Sequence, residues 1–358
     1  MRPALHAGLL AVALALTAAL FDAEPLWVPA LALALLVAGN VAWVTLAARG
    51  VSVRRTLSAR RVVEDDPVGV VIEVLTSGPA LPVAKIIDPL LSGSVALPAG
   101  RRQHSVRIEA RFARRGRRVL APSRVRISDP LGLVTRELGA AAAQVDDEIL
   151  VLPRLEPVRS VGSGAAAARI SRRGLLGHGT SAARIFWPSI ARGAEPQERR
   201  LTADCDSSPL VVLDPRTPAD EDALDAAVRA AASLAHALAL AGGCALLLPG
   251  DRRATELGET LAGWTHVHAR LALLGPATAP TLGAVAHRRG PVIFVSARVC
   301  ARLPAALGVA AGATRVLVVP GAIAARQAAF TVAGCSGYVL SARRARAIAG
   351  AKIGAHGA

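Results

Sequence analysis

Residues 210–243 read LVVLDPRTPADEDALDAAVRAAASLAHALALAGG, and this stretch decides the fold of the carboxyl-terminal part of the chain. Leu210-Val211-Val212-Leu213 is a short, unbroken apolar run, the pattern of a parallel strand buried on both faces. Asp220-Glu221-Asp222 sets three acids where the first turn of a helix favours negative charge. Leu224, Val228, Ala231, Ala235 and Leu238 then recur at steps of four and three, which marks one buried helical face. Gly242-Gly243 ends the helix. Further strand candidates lie at residues 245–248, 292–295, 316–319 and 338–340, with helical stretches between them that include 255–264 and 301–307. That alternation predicts an α/β doubly wound domain over residues 209–358.

Before it, residues 51–157 carry period two and no long helical period. Residues 68–76 (VGVVIEVLT) are rich in β-branched side chains and bounded by Pro67 and Ser77-Gly78-Pro79. Residues 105–113 alternate, with Val106, Ile108, Ala110 and Phe112 opposed to Arg107, Glu109 and Arg111. Residues 119–127 alternate more loosely, and Arg115-Gly116-Arg117 sits between as a turn. Short strands with turn signals predict an antiparallel β-sandwich, its arginines on the solvated faces. Asp129-Pro130-Leu131-Gly132 follows the last alternating run. One carboxylate without a partner acid is weak chemistry, so Asp129, Pro130 and Gly132 read as a structural turn in which Asp129 caps its own backbone.

At the amino end, residues 4–21 are apolar apart from His6 and Thr17, and residues 26–48 are apolar apart from Asn40 and Thr45. Each is long enough to cross a hydrocarbon core of about 30 Å as a helix. The short Asp22-Ala23-Glu24-Pro25 connection permits only a tight antiparallel pair, so residues 1–50 read as a transmembrane hairpin. Trp27 and Trp43 fall near the ends of the second span, where interfacial rings are favoured. Arg2 precedes the first span, and Arg49, Arg54, Arg55, Arg60 and Arg61 follow the second, while the connection carries only Asp22 and Glu24. The positive-inside rule then places both termini and the large body in the cytoplasm, tethered to the inner or plasma membrane. The same arginines are placed to touch anionic lipid.

The composition agrees with this division. The chain has 358 residues, 53% hydrophobic but only 3% aromatic, with 42 Lys+Arg against 26 Asp+Glu and a net charge of +16. Lys occurs only at Lys85 and Lys352, and the rest of the positive charge is Arg scattered from end to end. Nucleic-acid binding calls for a clustered basic face with stacking aromatics or a readable motif, and neither is visible, so the charge is not evidence for nucleic acid. The bias towards Ala, Gly, Arg and Val is that of a GC-rich coding sequence. Cys205, Cys244, Cys300 and Cys335 show no metal-binding spacing and read as buried free thiols.

Several of these segments together resemble the domain-of-unknown-function 58 family. Arg115-Gly116-Arg117, a strand and then Asp129-Pro130-Leu131-Gly132-Leu133-Val134 are similar to that family's RGRY and DPFGLF stretches. Ile149-Leu150-Val151-Leu152-Pro153-Arg154 is similar to its VYPR strand. Ile185-Phe186-Trp187-Pro188-Ser189-Ile190-Ala191-Arg192 resembles the end of its R-x-I-x-W-x-x-x-A-R signature. The signature's leading Arg falls on Ala183, with Arg184 one residue late, and the acidic pair expected upstream falls on Thr180-Ser181. The resemblance covers nearly the whole chain. It implies paired amino-terminal membrane helices, a von Willebrand factor A-like carboxyl-terminal domain, and partnership with MoxR-type AAA+ ATPases in envelope-related complex assembly.

Residues 158–208 form a Gly/Ala/Ser/Arg-rich linker carrying that signature segment. Trp187 in it reads either as an anchor packing the linker or as a partner-binding knob, together with Arg184, Phe186 and Arg192. In von Willebrand A domains the first strand ends in the metal motif D-x-S-x-S. Here it is Asp214-Pro215-Arg216-Thr217-Pro218, with Arg and Pro where hydroxyls belong. A cation beside a divalent ion is unfavourable, so Asp214 is a degenerate metal candidate that pairs with Arg216 or caps the next segment. His266 and His268 would share one face if they lay on a strand, without a third ligand. No phosphate loop, nucleophile elbow or catalytic set is found. The sequence therefore leads to a non-catalytic, cofactor-free scaffold. The alternative is a divalent-metal-dependent binder or enzyme at Asp214, and nucleic-acid binding is third.

Overall fold

The apolar amino-terminal residues wind into two helices, α1 (Arg2–Leu20) and α2 (Trp27–Ala48). They belong to a computed structural model that describes residues 2–139, 148–161, 208–276, 278–283, 290–307, 314–324 and 326–340. Both helices are long and apolar enough to cross a membrane, and most of their surface is uncovered. A third helix (Glu221–Leu240) meets the same length and composition, but 72% of it is buried inside the protein. The polar interruptions satisfy themselves within the helices: Thr17 Oγ1 donates to Ala13 O at 2.9 Å and Asn40 Nδ2 to Leu36 O at 3.0 Å.

The chain divides into two units. The first comprises Met1–Ala113 and Arg117–Leu150, and the second Arg114–Gly116 and Val151–Ala358. In the first, the helices lead into strands β1 (Val51–Leu57), β2 (Arg61–Val63), β3 (Val68–Thr76), β4 (Val83–Ile87), β5 (Val95–Leu97), β6 (Gln103–Ala110), β7 (Gly116–Val119), β8 (Arg124–Ser128), β9 (Thr135–Gly139) and β10 (Glu148–Leu152). Sheets β1-β3-β6 and β5-β4-β8-β9 are antiparallel throughout. They enclose one core, in which Val53, Val70, Ile72 and Val74 of the first sheet meet Ala84, Ile86, Val125 and Ile127 of the second. A third sheet has the order β2-β10-β7.

Two expectations for this region change. The loose alternation over 119–127 is two strands, β7 and β8, because Pro122 cannot donate to a ladder and the carbonyls of Leu120 and Ala121 accept from Arg55 instead. Arg55 is not on a solvated face. It is 2% exposed and donates to Asp88 Oδ2 at 3.0 Å, so it is not available to lipid.

The second unit is built on an eight-stranded sheet that adds β11 (Arg159–Ser160), β12 (Leu210–Asp214), β13 (Cys244–Leu247), β14 (Thr255–Leu257), β15 (Val292–Ser296), β16 (Arg315–Pro320), β17 (Phe330–Val332) and β18 (Cys335–Leu340). The order is β11-β17-β18-β16-β15-β12-β13-β14. Strands β13, β12, β15 and β16 pair in parallel, and β14, β18, β17 and β11 join antiparallel at the flanks. Alternate residues of the central strands feed two cores: Val211 and Leu213 one, Leu210 and Val212 the other. Helix α3 (Glu221–Leu240) starts at Asp220, whose Oδ1 accepts from Ala223 N at 2.7 Å. Helix α4 is Trp264–Ala272.

The doubly wound expectation is corrected in its details. Among the described residues both α-helices pack into the core of Val211 and Leu213, whereas the opposite core is closed by Leu282, Leu303, Ile323 and Leu307 of a 3-10 turn (Ala305–Leu307). Residues 255–264 are not a helix. Residues 255–257 instead satisfy the open edge of β13, and Leu261 and Gly263, at φ 54° and 81°, bend the chain before α4 begins. Residues 301–307 hold only the 3-10 turn after Pro304.

Candidate functional site

Chain direction singles out the end of β12. From β12 the chain runs through α3 to β13 on one side, while β15 pairs with β12 on the other. In open α/β sheets this point of reversal is where ligands bind, beyond the carboxyl ends of the strands. Asp214 stands there, 3% exposed, in register with Ser296 of β15. Its backbone carbonyl accepts from Ala297 N at 2.9 Å.

The Asp214 carboxylate is engaged by one residue. Oδ1 accepts from Arg216 Nε at 2.9 Å and from Arg216 N at 3.2 Å, and Oδ2 accepts from Nη2 at 2.9 Å. This is a bidentate fork closed over a two-residue turn. The hydrogen bonds to Asp214, followed by its charge, raise the guanidinium above its ordinary pKa. The next residue, Thr217, sits at φ 47°, in the left-handed region. Ser296 is buried, and its Oγ accepts from Arg298 N at 3.3 Å. A cation entering here must first displace Arg216.

Asp129 is held differently. It is 2% exposed, and its oxygens accept from Leu131 N at 3.1 Å and Val134 N at 2.6 Å. Gly132 turns at φ 68° and donates its N–H to Asp129 O at 3.1 Å. Pro130 is exposed. The carboxylate is spent on backbone donors and shapes the turn. Arg184, Phe186, Trp187 and Arg192 lie outside the described residues.

His266 and His268 do not share a strand face. They lie on α4, where residues two apart point away from each other, and His266 is exposed while His268 is buried. The His268 ring stacks on Trp264 with centroids 5.0 Å apart, and Trp264 also meets His236 at 5.1 Å. His268 Nε2 donates to Pro153 O at 2.8 Å, and burial pushes its pKa below the usual value. Buried Cys335 is pushed up to about 12, also by burial.

Sequence reasoning missed an ion cluster in the second unit. Arg115 donates to Asp225 Oδ1 at 2.7 Å and to Leu274 O at 2.9 Å, and Arg114 donates to Asp225 Oδ2 at 3.1 Å and to Glu221. The available signal was the density of opposite charge at RRGRR (114–118) and at the start of α3. Among the described residues no three His, Cys, Asp or Glu side chains gather as a metal-holding group.

No family model matches the chain, and no curated protein matches it. One similar solved structure is the alkylpurine DNA glycosylase AlkC of Pseudomonas fluorescens bound to DNA containing an abasic site analogue, at 17% identity and a TM-score of 0.16, covering 33% of this chain. Another is Cwp6 from Clostridium difficile, at 10% identity and a TM-score of 0.18, covering 68% of this chain. The chain spans 39% and 33% of the lengths of these structures. At such TM-scores neither likeness bears on function.

Proposed function

We propose that the protein is a non-catalytic, membrane-tethered scaffold whose body lies in the cytoplasm. In this reading α1 and α2 anchor the chain in the inner or plasma membrane, and the second unit is a degenerate von Willebrand factor A-like domain of the domain-of-unknown-function 58 type. Its partner would be a MoxR-type AAA+ ATPase acting in envelope-related complex assembly. The observation that carries the reading is the Asp214–Arg216 fork: the carboxylate placed where such a sheet holds ligands is committed to an internal cation. The parallel centre with an antiparallel edge strand on β13 supports it further.

Affinity capture of the full chain from detergent extracts tests the proposal. A MoxR-type ATPase is retained by the wild type and lost with Trp187→Ala. Capture without an ATPase, or unchanged capture by the variant, overturns it. A calorimetric titration of the full chain with Mg²⁺, Mn²⁺ and Ca²⁺ tests the competing metal site. Saturable binding abolished by Asp214→Ala would replace the scaffold reading.

A further inference from the structure

The first unit carries a rim of exposed apolar side chains at one pole, and its position in the fold specifies what covers it. Beyond the helical hairpin of residues 2–48, the large hydrophobic side chains of this unit that stand exposed among the described residues are Leu75, Val83, Val119 and Leu131. Leu75 lies at the end of β3, next to the Thr76 that pairs with Val51, the first residue after α2 and its Arg49-Gly50 junction. Val83 opens β4 and pairs with Ser128, and Ser128 pairs with Thr135, so the Asp129–Val134 turn closes this same end of the sheet. The opposite end is fixed by Arg55, which binds Asp88 at the far end of β4. Arg55 lies four residues along β1 from Val51, about 13 Å as a strand. Leu75, Val83 and Leu131 therefore gather at the pole where α2 enters, and Val119 lies on another sheet.

That entry is closely packed. Gly50, at φ 75°, accepts through its carbonyl from Ser77 N at 3.0 Å, and a Cβ on Gly50 would stand 2.1 Å from Ser77 Oγ. A Cβ on Gly78 would stand 3.0 Å from Arg49 O. The last turns of α2 are covered as well, because Val44 and Ala48 belong to the same core as the sheets. Twenty-two helical residues extend about 33 Å, against a hydrocarbon thickness of about 30 Å. A body that packs on Val44 reaches about 6 Å down α2 from Ala48 and so stands at headgroup depth. Leu131 is 61% exposed on a turn that Asp129 holds with both carboxylate oxygens. The turn is tied by these hydrogen bonds and the leucine is presented outward.

We propose that this rim, with Leu131 at its tip, is a lipid contact: it inserts into the headgroup–acyl boundary of the leaflet in which α2 ends. Exposed Arg49 supplies the neighbouring positive charge for anionic headgroups. The inference rests on α1 and α2 spanning the membrane, and the test separates the two claims. The full chain, in nanodiscs of phosphatidylcholine and phosphatidylglycerol, carries p-benzoylphenylalanine at position 131, 83, 119 or 43, and lipid adducts are measured by mass spectrometry after irradiation. Positions 131 and 83 give adducts several-fold above position 119, and position 43 in α2 gives them too. Adducts at 43 with none above the level of 119 at 131 and 83 overturn the rim while leaving the anchor intact. No adducts at 43 remove the anchor and the rim together. Protein adducts in place of lipid at 131 overturn the lipid assignment.

Discussion

Replacing Arg216 by Ala removes both side-chain donors from Asp214 and leaves a carboxylate that is 4% exposed with the backbone N–H of residue 216 alone. Charge-assisted hydrogen bonds to a buried group are worth about 1.5–3 kcal/mol. Arg216 is itself 45% exposed, so solvent screening lowers the expected loss to about 1–2 kcal/mol, a factor of about 5–30 in the opening equilibrium. Native-state hydrogen exchange on the full chain in nanodiscs reads this directly through the amides of β12 and β15, which exchange that much faster if their opening is the opening of the second unit. Asp214→Asn supplies the second corner of a double-mutant cycle. With the charge gone, Arg216→Ala on that background costs clearly less than on the wild type. Unchanged exchange in Arg216→Ala, or the same cost in both backgrounds, refutes the claim that the fork stabilises the crevice.

Gly337→Ala sets a Cβ 2.3 Å from Cζ of buried Phe330, so the ring must shift at a cost of about 1–3 kcal/mol, and exchange at β17 and β18 accelerates. Phe330→Leu on the same background recovers part of that loss, and an Ala variant as protected as wild type would contradict the packing. His268 is held neutral by burial, with its pKa lowered. Its contribution is complete above the unfolded value of about 6.5 and is lost as the pH falls below it. Stability of the second unit measured from about pH 7 to pH 5 should therefore fall less steeply in His268→Gln than in wild type, and equal slopes would remove His268 from the account.

Helix α3 was legible because three independent signals coincide: acids at its start, an apolar face repeating through Leu224, Val228 and Leu238, and Gly242-Gly243 at its end. The central strands were legible because continuous apolar runs survive burial on both faces. The flanking strands were not. Residues 255–257 and 330–332 are too short to show a period, and their pairing is decided by which sheet edge lies open beside them. Helix α4 was misplaced for the same reason, since the turn before it depends on left-handed backbone at Leu261 and Gly263. At the candidate site, the place of Asp214 followed from the strand–helix pattern. The spacing of Asp214 and Arg216 left a side-chain pair and a cap equally open. The structure shows a pair together with a bond from Arg216 N, because residues 214–216 turn tightly enough for both.

The arginines show why a chain with 3% aromatic residues still fills its interior. Among the described residues Arg315 is the largest of the fully buried side chains, and Arg55 and Arg115 are buried too. Each donates to main-chain oxygen, Arg55 to Leu120 and Ala121, Arg115 to Leu274, and Arg315 to Gly290 at 3.0 Å and Thr314 at 3.4 Å, and Arg55 and Arg115 also pair with Asp88 and Asp225. These carbonyls lie at strand ends and turns, and of them Thr314 O also accepts from Val292 N at 3.0 Å. A planar fork satisfies two of them at once, while its methylene stem packs as an apolar side chain would. A lysine could fill similar volume but presents one point of charge, so Arg→Lys at 55 or 115 would strand a buried acceptor. Part of the net charge of +16 thus answers to the interior, and sequence reading could not separate that part from the surface, because a buried Arg on a strand has the same spacing as an exposed one.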